Sequence, residues 1–366
     1  MIWLWLFLVS FIVRLAFWLL LFVRSVNNSK VCDNNESVSM GATIIVCARN
    51  EAHNLQELIP LLCNQKLSPL EILIVDHAST DGTQAMLDGF ANSIDHNVDF
   101  RYITINNATP GKKIALNQAI KLAKYELILL TDADCRPASP DWARLMLDSL
   151  NDDKEIVLGF SPMLRQAGLA NYISRFETLQ TALQYSSFAN LGMAYMSVGR
   201  NWGFKRSLYY KVDGNSSHAH LSAGDDDLQL QAMATSTNVV VCNHPYSYTF
   251  TTSKPTMMAY LTQKARHVGV ASHYKPIYKL LLGLLAISHF GFFIFALICM
   301  ILGYFSSVFW ICLGFYLFIL PVHYAFFRRF GETSLSFLYP IFDIVFFLLN
   351  PVIFVLSMIR NNDKWT

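Results

Sequence analysis

From residue 280 to residue 327 the chain carries no Asp, Glu, Lys or Arg. A run this long is about twice what one membrane-crossing helix needs, roughly 20 residues. The segment "GYFSS" (303–307) supplies a turn at its middle, so the run reads as two spans. It ends at Arg328-Arg329, and basic residues flank spans on the cytoplasmic side. Residues 2–23 form another apolar stretch, interrupted only by Arg14 and closed by Arg24 and Lys30. A signal peptide has a shorter apolar core and a small-residue cleavage site. This stretch has neither and is expected to be an uncleaved anchor, residues 1–25. A last apolar segment, 335–359, is broken by Pro340, Asp343 and Asn350-Pro351, and either spans or lies in the interface.

Arg14 and Asp343 are the only charged residues well inside these segments. A charge at mid-bilayer costs about 2.5–3.5 kcal/mol on insertion scales, so such residues face protein and pair. Taking Arg24 and Ser334 as cytoplasmic ends, Arg14 lies about 15 Å deep and Asp343 about 13–14 Å deep at 1.5 Å per residue. The matching depths predict an Arg14–Asp343 pair joining the first and last apolar segments. His289 and His323, also in apolar segments, are expected to hydrogen-bond from helix to helix.

Residues 30–279 look like an ordinary soluble domain. Only 15% of the 366 residues are charged, against about 25% in soluble domains, and the membrane segments account for the deficit. A net charge of +2 with no basic recognition helix excludes nucleic acid as a partner. The seven cysteines show no CxxC spacing. Cys47 and Cys135 read as buried free thiols, which favours a reducing compartment and a cytoplasmic soluble part. Along this region "TIIVCA" (43–48), "LEILIV" (70–75), "RYITI" (101–105) and "ELILLT" (126–131) read as strands. They alternate with amphipathic helices at 54–62, after "STDGT", and at 112–124. This alternation predicts a Rossmann-like α/β fold with a doubly wound, mostly parallel sheet. Ligands of such sheets bind beyond the carboxyl ends of the strands.

Those ends carry Arg49-Asn50-Glu51, Asp76-His77 and Asp132-Ala133-Asp134. Two carboxylates two residues apart suit Mg²⁺ or Mn²⁺ bridging to a diphosphate; they also suit a turn or helix cap. "TPGKKIAL" (109–116) joins a glycine, Lys112, Lys113 and a helix N-terminus, which can hold a phosphate. Further on, "AGDDDLQL" (223–230) sets Asp225, Asp226 and Asp227 side by side before the predicted helix 228–234. The cluster can serve as an acidic helix start. Mutual repulsion and partial burial also raise a carboxylate's pKa and make it a better base.

In order, "IIVCARNEAHNL", "ILIVDHASTDGT", "GKKIALNQAI", "LLTDADC", "GRNWGFKRSLY", "AGDDDLQL" and "QKARH" resemble the inverting family 2 glycosyltransferases, which have a GT-A fold. The resemblance covers about residues 40–275. It implies that Arg49, Asn50 and Glu51 line a uridine pocket, that Asp76 contacts the nucleobase, and that Lys112, Lys113 and Asp132 bind the nucleotide sugar. Asp132 and Asp134 would hold the diphosphate's metal. Gln263, Arg266 and His267 would lie at the acceptor or diphosphate, with Trp202 either stacking on a sugar or packing. The family's usual second Asp is His77 here, and the Trp of its QxxRW motif is His267, which weakens processivity more than activity. Asp226 or Asp227 would be the base, Asp226 being in the acidic pair in either register, with Asp225 adding to the crowding.

The expectation is a multi-pass cell-membrane enzyme of polysaccharide biosynthesis in the cell envelope: anchor 1–25, cytoplasmic GT-A domain 40–275, membrane region 278–360. It would move a sugar from a nucleotide sugar, a UDP-sugar by the resemblance, to a lipid-linked or glycan acceptor at the membrane. A processive polysaccharide synthase and a non-catalytic nucleotide-sugar-binding scaffold are the alternatives. Neither the sugar nor any protein partner is legible.

Overall fold

The computed structural model describes residues 1–27, 41–94, 98–106, 111–214, 221 and 224–359. Lys30, Cys32, Thr109, Pro110, His218, His220 and Ala223 fall outside them. The chain divides into two compact units, one of residues 1–28, 168–187 and 255–360, the other of residues 29–167, 188–254 and 361–366.

The second unit is built on a seven-stranded mixed sheet. Its first four strands are β1 (Ala42–Ala48), β2 (Leu70–His77), β3 (Asp99–Ile105) and β4 (Leu127–Asp132). β1 pairs in parallel with β2 and β4, and β2 with β3. β1, β2 and β4 are short, mainly apolar runs without Gly or Pro, as central parallel strands require, whereas β3 is an edge strand and carries Asp99 and Arg101. Alternating with them are α2 (Ala52–Cys63), α3 (Thr83–Ser93) and α4 (Lys112–Leu122). α4 stops at Leu122 because Ala123 turns extended. On α2, Leu55, Leu58, Ile59 and Leu62 share one face and are buried against Ile44, Val46, Ile72 and Ile74. Each such side chain contributes about 1.5–3 kcal/mol of burial.

The rest of the sheet comes from β6 (Ile156–Leu158), β7 (Trp202–Lys205) and β8 (Val239–Val241), in the order β3-β2-β1-β4-β7-β6-β8. β7 runs antiparallel to β4 and β6. A separate pair, β5 (Arg136–Pro137) and β9 (Thr249–Phe250), lies beyond β4. Between them in sequence come α5 (Trp142–Leu147), α7 (Arg206–Lys211) and α8 (Asp227–Met233). Asn201 ties these parts together. It accepts from Trp142 Nε1 at 3.0 Å and donates to the carbonyls of Phe160 and Ser247 at 2.7 and 2.9 Å. Register places the site: Ala48 pairs with Asp76 and Cys47 with Asp132, so the ends of β1, β2 and β4 form one row.

The first unit holds α1 (Ile2–Asn27), α10 (Pro276–Ile301), α11 (Phe305–Arg328) and α13 (Tyr339–Ile359). Each contains a stretch long and apolar enough to cross a membrane, the signature of a multi-pass membrane protein. α13 continues as a helix through Pro351, so the 335–359 segment has the length to span. The predicted Arg14–Asp343 ion pair is present, with both side chains almost fully buried. Tyr316 donates to the other Asp343 oxygen at 3.0 Å, and Arg14 lies over the Phe315 ring at 4.6 Å. His289 Nδ1 comes within 3.6 Å of Asp343, across from α10 to α13. His323 departs from expectation: its Nδ1 meets Ile319 O of its own helix at 3.1 Å, and toward α13 its ring packs on Tyr339 at 4.0 Å. The unit also takes in most of α6 (Leu169–Asn190), the short α12 (Thr333–Phe337) and α9 (Met257–Ala271). On α6, Phe176 stacks on Phe342 at 4.4 Å and Arg175 pairs with Glu332 through two bonds.

Candidate active site

The loop after β1 is knitted to the loop after β2. Asn50 takes φ 55°, a left-handed conformation that Asn tolerates better than most residues. There its N–H donates to Ser79 Oγ at 2.8 Å and its Oδ1 accepts from Thr80 N at 2.7 Å. The N–H groups of Glu51 and Ala52 donate to Thr83 Oγ1 and Asp81 Oδ2 at 3.2 and 3.1 Å. Ala78 also has φ 55°, a conformation that costs a non-glycine residue about 1–3 kcal/mol and clusters at functional sites. Asp76 is buried and accepts the Ser79 hydroxyl. His77 is buried, and its Nδ1 accepts from Gly111 N at 3.4 Å, linking the end of β2 to the start of α4. Burial holds its pKa below the ordinary value, in keeping with a neutral acceptor.

Lys112, the first residue of α4, lies between two acidic groups. Its Nζ is 2.8 Å from Asp132 Oδ1 and 3.3 Å from Asp225 Oδ2. One ammonium therefore joins the end of β4 to the triple-aspartate cluster. A small cleft lies here, lined by Cys47, Lys112, Asp132, Gly199 and Asp225 among others. Lys113 is almost fully buried, and burial lowers its pKa to about 8.

The three aspartates have distinct surroundings. Asp225 faces Lys112. Asp226 caps α8, accepting from Asp227 N at 2.9 Å on one oxygen and from Gly199 N at 3.1 Å on the other. Asp227 accepts from Ser197 N at 3.2 Å. Burial, and then the charge of Asp225, push the Asp226 carboxyl up to about 6, with Lys112 opposing. A Cβ on Gly199 would lie 2.8 Å from Asp226 Oδ2, so only glycine lets the backbone approach this carboxylate.

Asp134 lies two residues past the end of β4. Burial raises the Glu51 carboxyl, and Asp134 and Asp132 raise it further, so three acidic groups converge here electrostatically. Among the described residues, no three His, Cys, Asp or Glu side chains are close enough to enclose a metal. Two carboxylates, with the remaining positions left to phosphate and water, are the usual Mg²⁺ arrangement, and Asp132 with Asp134 fit it. Burial pushes the Cys47 thiol up to about 12 and the Cys135 thiol upward as well, so neither is a ready nucleophile.

Trp202 is fully buried in β7, packs against Phe204 at 4.8 Å and also lines the cleft beside Lys112 and Asp132. Gln263, Arg266 and His267 lie on α9, in the unit of apolar helices. The sequence reading missed three residues. Gly199 holds the base candidate. Arg200 is anchored on Ser161 by Nε at 2.6 Å. Arg136 holds the turn around Asp134. Gly199 and Arg200 open the quoted "GRNWGF", and Arg136 directly follows "DADC", so position alone was the available signal.

The Glycosyl transferase family 2 model matches residues 43–212. The poly-beta-1,6-N-acetyl-D-glucosamine synthase of Staphylococcus aureus is 26% identical over 178 residues, 44% of this chain and 42% of that protein. The hyaluronan synthase of Pasteurella multocida is 29% identical over 124 residues, 34% of this chain and 12% of that protein. The chain thus aligns with less than half the length of these relatives. The mannosyltransferase PcManGT from Pyrobaculum calidifontis, solved in complex with GDP-Man and Mn²⁺, superposes with a TM-score of 0.56 at 17% identity. That alignment covers 95% of this chain and 99% of the solved one. The matched strand–helix alternation holds the row of strand-end carboxylates and Lys112. Residues 43–212 therefore match the family 2 glycosyltransferase domain, on a mostly parallel α/β sheet like that of a GT-A fold, in a chain with four helices long and apolar enough to cross a membrane.

Proposed function

We propose that the enzyme transfers a sugar, with inversion, from a UDP-sugar to a lipid-linked or glycan acceptor at the cytoplasmic face of the membrane. The observation that carries this reading is Lys112, within 3.3 Å of both Asp132 and Asp225. It makes the leaving-group carboxylates and the base cluster neighbours, as a direct displacement at one anomeric carbon requires.

Asp226, held through both oxygens and raised to about 6, takes the proton from the acceptor hydroxyl as that oxygen attacks the anomeric carbon. The sugar–phosphate bond breaks, and its electron pair leaves on the nucleoside diphosphate. Lys112 and the N-terminus of α4 offset the charge developing on that leaving group. Asp132 and Asp134 would hold Mg²⁺ or Mn²⁺, which when bound supplies Lewis-acid stabilisation of the diphosphate. Asp76 and the knitted loops at residues 49–52 and 78–83 would form the nucleobase wall.

Membranes containing the protein, incubated with a panel of nucleotide sugars, should release nucleoside diphosphate from one donor. Release should stop with EDTA and in Asp134→Ala. Activity indifferent to EDTA would remove the cation from this scheme. No turnover of any donor, with or without membrane lipid extract as acceptor, would refute the proposal. The names of the Staphylococcus and Pasteurella relatives favour a second reading, a processive synthase. Product chain length from purified protein separates the two, with a single addition expected.

A further inference from the structure

Arg136 follows the Asp132–Cys135 turn and opens β5. Its Nη1 donates to the carbonyls of Ala133 and Cys135 at 3.0 and 2.8 Å, on either side of Asp134. Its Nε and Nη2 donate to Glu57 Oε2 of α2 at 3.1 and 2.7 Å, and Nη2 also reaches Asn54 Oδ1 at 3.3 Å. A guanidinium has five N–H donors in a rigid plane, and these contacts occupy all of them. Asn54 in turn donates to Glu51 Oε2 at 2.6 Å. An unbroken hydrogen-bonded path therefore runs from the backbone around Asp134, through Arg136 and Asn54, to Glu51 at the nucleobase wall.

The path addresses a specific problem. Asp134 and Asp132 both disfavour the charge on Glu51, so the convergence gains nothing unless something else fixes the backbone. The Arg136–Glu57 ion pair is no large source of stability, because Glu57 is more than half exposed. The other contacts of the guanidinium set the shape of the turn and its distance from α2.

We propose that Arg136 is a positioning residue that couples the nucleobase wall to the carboxylate turn, so that nucleotide and divalent cation bind as one event. The inference rests on the donor site proposed above. A lysine keeps the charge but offers three donors from one point, without the planar fork. Loss of such outer contacts typically costs about 10–100-fold in metal affinity.

The test uses full-length protein in detergent. The affinities of UDP, GDP and ADP are measured by calorimetry in Mn²⁺ and in EDTA, with thermal melting alongside. For wild type, one nucleoside diphosphate should bind more tightly with Mn²⁺. In Arg136→Lys that Mn²⁺ enhancement should fall by about 10-fold or more, while affinity in EDTA and the melting temperature change little. An unchanged enhancement in Arg136→Lys overturns the proposal. If Arg136→Lys does not fold, Asn54→Ala decides, since it cuts the link to Glu51 and leaves the turn contacts in place. A reduced enhancement there supports the coupling, and an unchanged one overturns it. Wild type that binds no nucleoside diphosphate, or binds one without regard to Mn²⁺, overturns the donor-site reading and this proposal together.

Discussion

At the scale of single residues, the site turns on which aspartate can accept a proton. Asp226 is half-buried beside a second carboxylate and fixed through both oxygens. Asp226→Asn should leave donor binding nearly unchanged and lower turnover by roughly 10² or more, the scale of general-base removal. If Asp227→Asn is inactive while Asp226→Asn turns over normally, the base is one residue further on. The pH dependence has a definite sign. The base works ionised, so kcat should fall as pH drops through about 6, and Asp225→Asn, which removes the like charge, should move that limb to lower pH. A profile flat from pH 5 to 8 would contradict the assignment. Most of these chemical groups were legible, because charged residues directly after apolar strands must collect at one sheet edge. The carboxylates' supports were not. Gly199 acts through its backbone N–H and its missing side chain, and Arg136 through contacts far apart in sequence.

At the scale of elements, the Arg14–Asp343 pair ties α1 to α13 and was readable from helix depth alone, since rise per residue is fixed. Removing one partner of a buried pair leaves an uncompensated charge and costs about 3–5 kcal/mol, whereas replacing both with apolar groups can be neutral. Arg14→Leu and Asp343→Leu should therefore each lower the melting temperature in detergent, and the double variant should recover part of the loss. Simply additive losses would show that the two do not interact. The first four strands were equally readable, being apolar runs of six to eight residues. β6 and β8 are three residues each and β7 is four, too short for a period to declare itself. α6 escaped notice for another reason. Its apolar residues are spread among Ser, Thr, Gln and Asn, and the burial of Arg175 and Phe176 depends on Glu332 and Phe342, more than 150 residues later.

For the whole molecule, the strand order carries a consequence for synthesis. β7, from residues 202–205, lies between β4 and β6, and β8 joins the sheet only through β6. While the ribosome is still short of residue 202, β1 to β4 can assemble, but β6 has emerged with no neighbour to receive it. The nascent protein therefore carries an open β4 edge through the translation of about seventy further residues, among them α6. Unpaired edges of this kind invite pairing with other chains. Ribosome-bound chains arrested before β7 clears the exit should be cut readily by protease within residues 150–190, and chains arrested well beyond β8 should resist. Equal resistance at both lengths would mean that the amino-terminal strands close their edge without β7. The last strand to reach the middle of the sheet is thus the latch of the domain, and a polypeptide stalled just ahead of it is the form most exposed to aggregation and to quality control.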